Sequence, residues 1–240
     1  LNQRNKKVLS AKNAQKDLTK YASAKKAKVL ARFFKTGVGE YGEGDVFLGI
    51  MVPQTRILAK QYAELVLKEV TQLLKSPIHE ERLLALFILI AQFEKGTEKQ
   101  RENIFKFYLA NTKYINNWDL VDLSAPKIVG AYLEDKNRII LKKLAQSKDI
   151  WKRRIAILAT FQFIKNNDFN DALAITTLLI HDEHDLIQKA VGWMLREIGK
   201  RDQAVEERFL RKWHKTMPRT MLRYAIERFP QKLRRFYMFW

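Results

Sequence analysis

Apolar residues recur three and four apart along most of this chain. Leu58, Tyr62, Leu65, Val66 and Leu73 are one such series, and that spacing gathers side chains on one face of a helix. The run from Leu83 to Ala91 is apolar without interruption, which predicts a helix buried all round. Nine Gly and five Pro in 240 residues leave long unbroken stretches between turn signals. The pattern predicts about twelve helices and no convincing strand. Breaks are expected near residues 37–49, 76–77, 95–96, 134–135, 166–168, 181–183 and 201–202, and at Pro218.

The helical stretches also repeat. Several open on a basic or aromatic residue followed by an apolar-rich run: Arg82, Trp118, Arg154, Lys189 and Arg223. The steps between them are 36, 36, 35 and 34 residues. A period of this size, with two helices per unit, predicts an all-α fold: an α-solenoid of HEAT-like helical repeats whose inner helices line a concave groove. A chance alignment within an irregular helical bundle is the competing reading. The expected organisation is a single domain over residues 1–240. It has a basic helical segment at 1–36, a Gly-rich loop at 37–49 and helical repeats from 50 to 240.

Charge narrows the choice of partner. Lys and Arg outnumber Asp and Glu by 45 to 26, a formal net charge of +19. Residues 1–36 carry eleven cations against the single acid Asp17, and residues 201–240 carry eleven against four acids. Such a balance favours a polyanion, nucleic acid before membrane. There is no cysteine, which excludes disulfides, thiol nucleophiles and thiolate metal sites. His79, His181, His184 and His214 are scattered and form no H-E-x-x-H motif, so neither metal nor cofactor is expected. Gly37-Val38-Gly39-Glu40-Tyr41-Gly42 matches G-x-G-x-x-G, but no strand precedes it and Glu43-Gly44-Asp45 follows where a helix would be needed. No apolar run approaches the ~18 residues of a membrane span. A cytoplasmic monomer that meets no membrane is the expectation.

Trp118 and Asp122 lie four apart in Asn117-Trp118-Asp119-Leu120-Val121-Asp122, so a helix sets an aromatic plate beside a carboxylate. A carboxylate repels phosphate, whereas plate and anion together suit a cationic group. In the repeat register Trp118 and Arg154 share the opening position, and Asp122 and Trp193 share the position four residues on. All four are thus expected on equivalent faces of successive inner helices. A structural reading stands beside this one. Trp118 can be a core residue, Asp119 can serve the helix N-terminus after an Asn117 cap, and Asp122 can pair with Arg154 as a salt bridge.

At these residues the chain resembles the DNA alkylation repair glycosylases of the AlkD type. The likeness rests on Asn117–Asp122, on Trp151–Leu158, on Ile187–Glu197 and, more weakly, on Phe47-Leu48-Gly49-Ile50 with Pro53 and Arg56. The resemblance implies a HEAT-like solenoid around double-stranded DNA and excision of cationic N3- and N7-alkylated purines. It implies that Trp118 and Trp193 contact the lesion nucleotide, that Asp122 is the catalytic carboxylate and that Arg154 holds the DNA backbone. Lys189 and Arg196, on the same matched helix as Trp193, are expected to bind phosphate as well. Two departures stand out: Asn117 replaces a frequent second aromatic, and the glycine-rich insert at 37–44 differs from well-known members.

The chemistry is consistent with these residue types. An alkylated cationic purine leaves without protonation, so no general acid is required. The carboxylate then faces the oxocarbenium-like sugar and orients a water. Aromatic plates hold the cationic nucleotide at ~0.5–2 kcal/mol each. The competing functions are a non-catalytic HEAT-like protein for bent or branched DNA and a protein-interaction scaffold.

Overall fold

The computed structural model describes residues 9–239. Residues 1–8 of the basic N-terminal segment and Trp240 lie outside the described residues. The fold is all-α, as the periodicity predicts. In chain order the helices are α1 Ala11–Thr19, α2 Ala24–Phe33, α3 Val52–Gln61, α4 Leu67–Leu74, α5 His79–Lys95, α6 Glu98–Ala110, α7 Trp118–Ala125 and α8 Ile139–Ala145. They continue with α9 Ile150–Ala159, α10 Phe161–Lys165, α11 Asn170–Leu178, α12 Asp185–Gly199, α13 Gln203–Trp213, α14 Arg219–Ala225 and α15 Gln231–Met238. A π-helical turn, Pro126–Gly130, continues α7 directly. Among the described residues no strand forms; Val46 and Ile78 make one isolated bridge. None of the described helices is long and apolar enough to cross a membrane.

The predicted register holds at the level of elements. Arg82, Trp118, Arg154, Lys189 and Arg223 fall in α5, α7, α9, α12 and α14, and another helix intervenes before each next one. Four of the five lie in the first five residues of their helix but not at its very start; Trp118 alone is the first residue. At the start of α7 the Asn117 side chain accepts the Trp118 backbone N–H at 2.8 Å. Elsewhere helix starts follow ordinary capping chemistry: Ser10, Ser23, Asp149 and Asp202 accept backbone N–H groups, and Thr97 with Gln100 forms a reciprocal capping box before α6.

The chain divides into two compact units, Leu1–Leu120 and Val121–Trp240, the division falling inside α7. In the first unit α3, α4 and α6 pack on α5, and α1 packs on α3 and α4. Every residue of α5 from Leu83 to Ile90 is buried, which accounts for a helix with no polar face. Its first turn is the opposite case: His79, Glu80, Glu81 and Arg82 are charged or polar and equally buried. Burying such groups is costly unless they are paired; each of the four side chains finds a partner, with Arg82 Nε alone among their buried polar atoms left without one. The Glu80 carboxylate accepts the backbone N–H groups of Leu48, Gly49 and Ile50 at 2.8–3.1 Å. Glu81 accepts from Gln15 at 2.6 Å. Val46 N–H donates to Pro77 and His79 N–H to Val46, so the end of the Gly-rich loop is sewn to the start of α5.

Gly49 makes that seam possible. Its φ is +82°, and a Cβ there would lie 2.2 Å from the Ser23 carbonyl oxygen and 2.5 Å from the Ala27 nitrogen. In the second unit α12 is the hub, packed on α9, α13 and α14. Gly192 lets α14 approach: a Cβ at that position would stand 2.4 Å from the Met221 carbonyl oxygen.

Gly49→Ala combines a disfavoured backbone conformation with a backbone clash. We expect it to cost about 2 kcal/mol or more, a fall in Tm of roughly 4–8 °C by thermal unfolding. An unchanged Tm would contradict the close approach of α2 to this loop.

Candidate functional site

In the second unit, Asp122 on α7 and Arg154 on α9 form a two-point ion pair. Arg154 Nε donates to Asp122 Oδ1 at 2.8 Å and Nη2 to Oδ2 at 2.7 Å. Nη1 donates to the Leu186 carbonyl in the first turn of α12. The guanidinium side chain is 6 % exposed and the carboxylate 13 %. The planar fork fits a carboxylate edge to edge and fixes its orientation. Arg154 can take this position because the flanking positions of α9, Ile155 to Ala159, are all buried and hold that helix rigidly against its neighbours.

Trp193 lies two turns beyond Leu186 on α12. Its indole N–H donates to Glu197 Oε1 at 3.1 Å, and its ring tilts against Phe161 with centroids 6.0 Å apart. Glu197 also takes Lys200 at 2.6 Å and Arg201 at 3.3 Å. Burial works against its charge, yet the hydrogen bonds from Lys200 and Trp193 hold its carboxyl below the usual range. Trp193 is therefore half-buried and oriented by an anchored acid.

Lys189 and Arg196 flank it with their charges already engaged. Lys189 pairs with Asp185 one turn earlier at 2.7 Å, and Arg196 pairs with Glu227. Buried Glu206 on α13 leaves Oε1 without a partner. Burial, with Glu207 adding to it, pushes its carboxyl up to about 9 despite the opposing pull of Arg196.

Trp118 makes its contacts in the first unit. Its ring stacks on Phe34 with centroids 5.0 Å apart and planes 25° apart, and Phe33 meets it edge-on at 5.8 Å. Its indole N–H donates to the Tyr41 hydroxyl at 3.2 Å. Phe34 stacks on Phe47, which stacks on His79. The plate is thus the outer end of a row of rings supplied by α2 and the Gly-rich loop.

Beneath that row lies a cluster that sequence reasoning missed. His79 Nε2 is 2.8 Å from Asp119 Oδ2, and Nδ1 is 3.1 Å from Asp45 Oδ2. Arg82 Nη2 donates to Asp45 Oδ1 at 2.6 Å and Asn117 Nδ2 to Asp45 Oδ2 at 3.1 Å. All five side chains are buried. Asp119 does serve its helix start, accepting the Leu120 N–H at 2.8 Å, but its other oxygen is committed to His79. The available signal was the polar run His79–Arg82 ahead of the most apolar helix of the chain, since polar groups buried there require partners.

The structure thus brings Asp122 and Arg154 together as an ion pair, sets Trp193 against Phe161 and Glu197, and places Trp118 in an aromatic row. From Ala14 to Phe229 the sequence matches the family model of the DNA alkylation repair enzymes.

The chain belongs to the DNA alkylation repair enzyme family.

Solved structures of similar fold include a predicted DNA alkylation repair enzyme from Enterococcus faecalis, at TM-score 0.66 and 16 % identity over 88 % of this chain and 97 % of that one. AlkD2 from Streptococcus mutans matches at TM-score 0.56 and 16 % identity over 92 % and 97 % of the two chains. The protein smu.31 of Streptococcus mutans UA159 matches at TM-score 0.52 and 16 % identity over 90 % and 95 %. No curated protein matches. For this member of the DNA alkylation repair family, those likenesses establish the helical fold.

The buried Asp122–Arg154 pair sets a measurable expectation. Arg154→Ala strands a mostly buried carboxylate, and we expect a stability loss of about 3 kcal/mol by denaturant unfolding. The double variant Arg154→Ala with Asp122→Ala should recover part of that loss. Strict additivity of the two single changes would show the pair to be uncoupled.

Proposed function

We propose that the protein is a monofunctional DNA glycosylase that hydrolyses the N-glycosidic bond of cationic N3- and N7-alkylated purines in duplex DNA. The observation that carries this reading is the Asp122 carboxylate, held at both oxygens by a buried guanidinium in a chain of net charge +19. A mainly positive protein attracts the DNA backbone. A fixed, partly exposed carboxylate within it suits a centre where positive charge develops.

In the proposed mechanism Asp122 faces the anomeric carbon. An alkylated purine already bears its positive charge, so it departs without a proton donor. As the bond to C1′ lengthens, positive charge moves onto the deoxyribose, and the oriented carboxylate stabilises it. The same carboxylate orients the attacking water. The bond between C1′ and the base nitrogen breaks with its electron pair going to the purine. Water oxygen bonds to C1′ and its proton passes to solvent.

Arg154 has a different first task from the expected phosphate contact: buried and bound to Asp122, it positions the catalytic carboxylate. Any contact with DNA falls to its remaining N–H groups. Trp193 and Trp118 would pack against the cationic nucleotide through their half-exposed faces. Lys189 and Arg196 would meet phosphate by exchanging their present partners, Asp185 and Glu227.

The test is release of free 7-methylguanine and 3-methyladenine from N-methylated duplex DNA. We expect wild-type release, and a loss of about a hundredfold or more in Asp122→Asn with DNA affinity held or raised, because an anion has been removed. DNA binding without release by the wild type would leave a non-catalytic binding protein. Equal release by the two forms would reduce Asp122 to a structural partner of Arg154. Trp193→Ala should weaken discrimination of damaged from undamaged DNA; equal weakening on both would mark a structural tryptophan.

A further inference from the structure

The buried cluster around His79 has no part in the proposed chemistry, yet it converges on Trp118. Residues on both sides of that tryptophan are tied into it. Asn117 donates to Asp45 while accepting the Trp118 backbone N–H, and Asp119 faces His79. The ring of Trp118 is supported from the same source, through Phe34, which lies 5.1 Å from both Phe47 and the His79 ring. Backbone and plate of Trp118 are therefore both linked to the cluster that His79 bridges, the backbone through Asn117 and Asp45 and the plate through Phe34.

The protonation state follows from the partners. Carboxylate oxygens accept hydrogen bonds and cannot donate. An imidazole with one carboxylate oxygen at 3.1 Å and another at 2.8 Å satisfies both only when both ring nitrogens carry protons. The resulting cation is then flanked by two anions, and the stacked Phe47 ring at 4.5 Å presents its face to it. The neutral ring would leave one nitrogen lone pair directed at a carboxylate, a repulsive contact in a buried place.

We propose that His79, as an imidazolium bridging Asp45 and Asp119, is a positioning residue that sets Trp118 in place for its contact with the lesion. This rests on the reading of Trp118 as a lesion contact; the bridge itself stands independently of it. The charged and titratable groups facing His79 come from three elements: Asp45 from the loop, Arg82 from α5 and Asp119 from α7. Burial opposes the charge on His79. The pull of Asp119 and the hydrogen bonds to Asp119 and Asp45 overcome it, against a smaller opposing effect of Arg82, and raise the group to about 9 from 6.5. Because the folded-state value is the higher, the stabilisation is fully present below about 6.5 and is lost as pH rises through about 9.

NMR on the intact chain tests this. The His79 ring nitrogens and the Trp118 indole N–H are followed through a pH titration and assigned with His79→Gln and Trp118→Phe. We expect His79 to carry both protons at neutral pH and to titrate near 9, with the Trp118 signal moving at the same midpoint. Asp119→Asn should lower that midpoint. His79→Gln should lower the excision rate by about ten- to a hundredfold and leave the Trp118 signal independent of pH. A His79 midpoint near the ordinary 6.5, or a Trp118 signal indifferent to it, would overturn the proposal. If His79→Gln fails to fold, the wild-type titration alone decides. Absence of excision by the wild type would sink the glycosylase reading while the titration still judges the bridge.

Discussion

Burial of opposite charges in contact is the constraint on which the rest of this structure depends. An exposed ion pair adds little, since water and salt screen it. A pair withdrawn from water gains directional strength but only if every lone pair and proton is met. Asp122 and Arg154 answer much of that demand with two parallel hydrogen bonds, and the third guanidinium nitrogen donates to the Leu186 carbonyl. The outcome is a carboxylate with one orientation, in a chain whose net charge would otherwise draw it toward any of many cations. Orientation is what a carboxylate needs if it is to act on one carbon atom of a sugar.

The first unit uses the same principle on a larger scale. Four successive polar residues open α5, and each is buried against a partner from elsewhere in the chain. Glu80 gathers three backbone N–H groups, Glu81 takes Gln15, Arg82 takes Asp45, and His79 bridges Asp45 to Asp119. These contacts span 30 residues and more; those of Glu80, Arg82 and His79 with residues 45–50 order the end of the Gly-rich loop. That loop and α2 then supply the rings on which Trp118 rests. A tryptophan offered to a ligand must keep one face free without moving, and stacking on Phe34 fixes the other.

The helices and their repeat were legible because both are local properties. A 3.6-residue period and an opening residue every 34–36 positions survive whatever the helices pack against, and all five openings fall in separate helices. Trp118, Asp122, Arg154 and Trp193 were legible as candidates from register and residue type. Their partners were only partly so. The Asp122–Arg154 pair could be named because both residues belonged to the same register. Lys189 and Asp185 are one helical turn apart, which sequence displays directly, whereas Arg196 and Glu227 meet across α12 and the turn after α14. The His79 cluster was illegible for a physical reason: its members are 34 and 40 residues apart, and they share no helical face or period. Scattered histidines carry no information about which carboxylates will close on them.

The proposed role of the held carboxylate is to stabilise positive charge as it passes from base to sugar. Its consequence is a dependence on the charge of the lesion rather than on its shape. The most direct measurement compares release of N7-methylguanine, a cationic base, with release of hypoxanthine, a neutral purine, from otherwise identical duplexes under single-turnover conditions. The expected result is release of the cationic base and none measurable of the neutral one. Comparable rates for both would contradict it, because a neutral purine departs only with a proton donor that Asp122 and its partners do not supply.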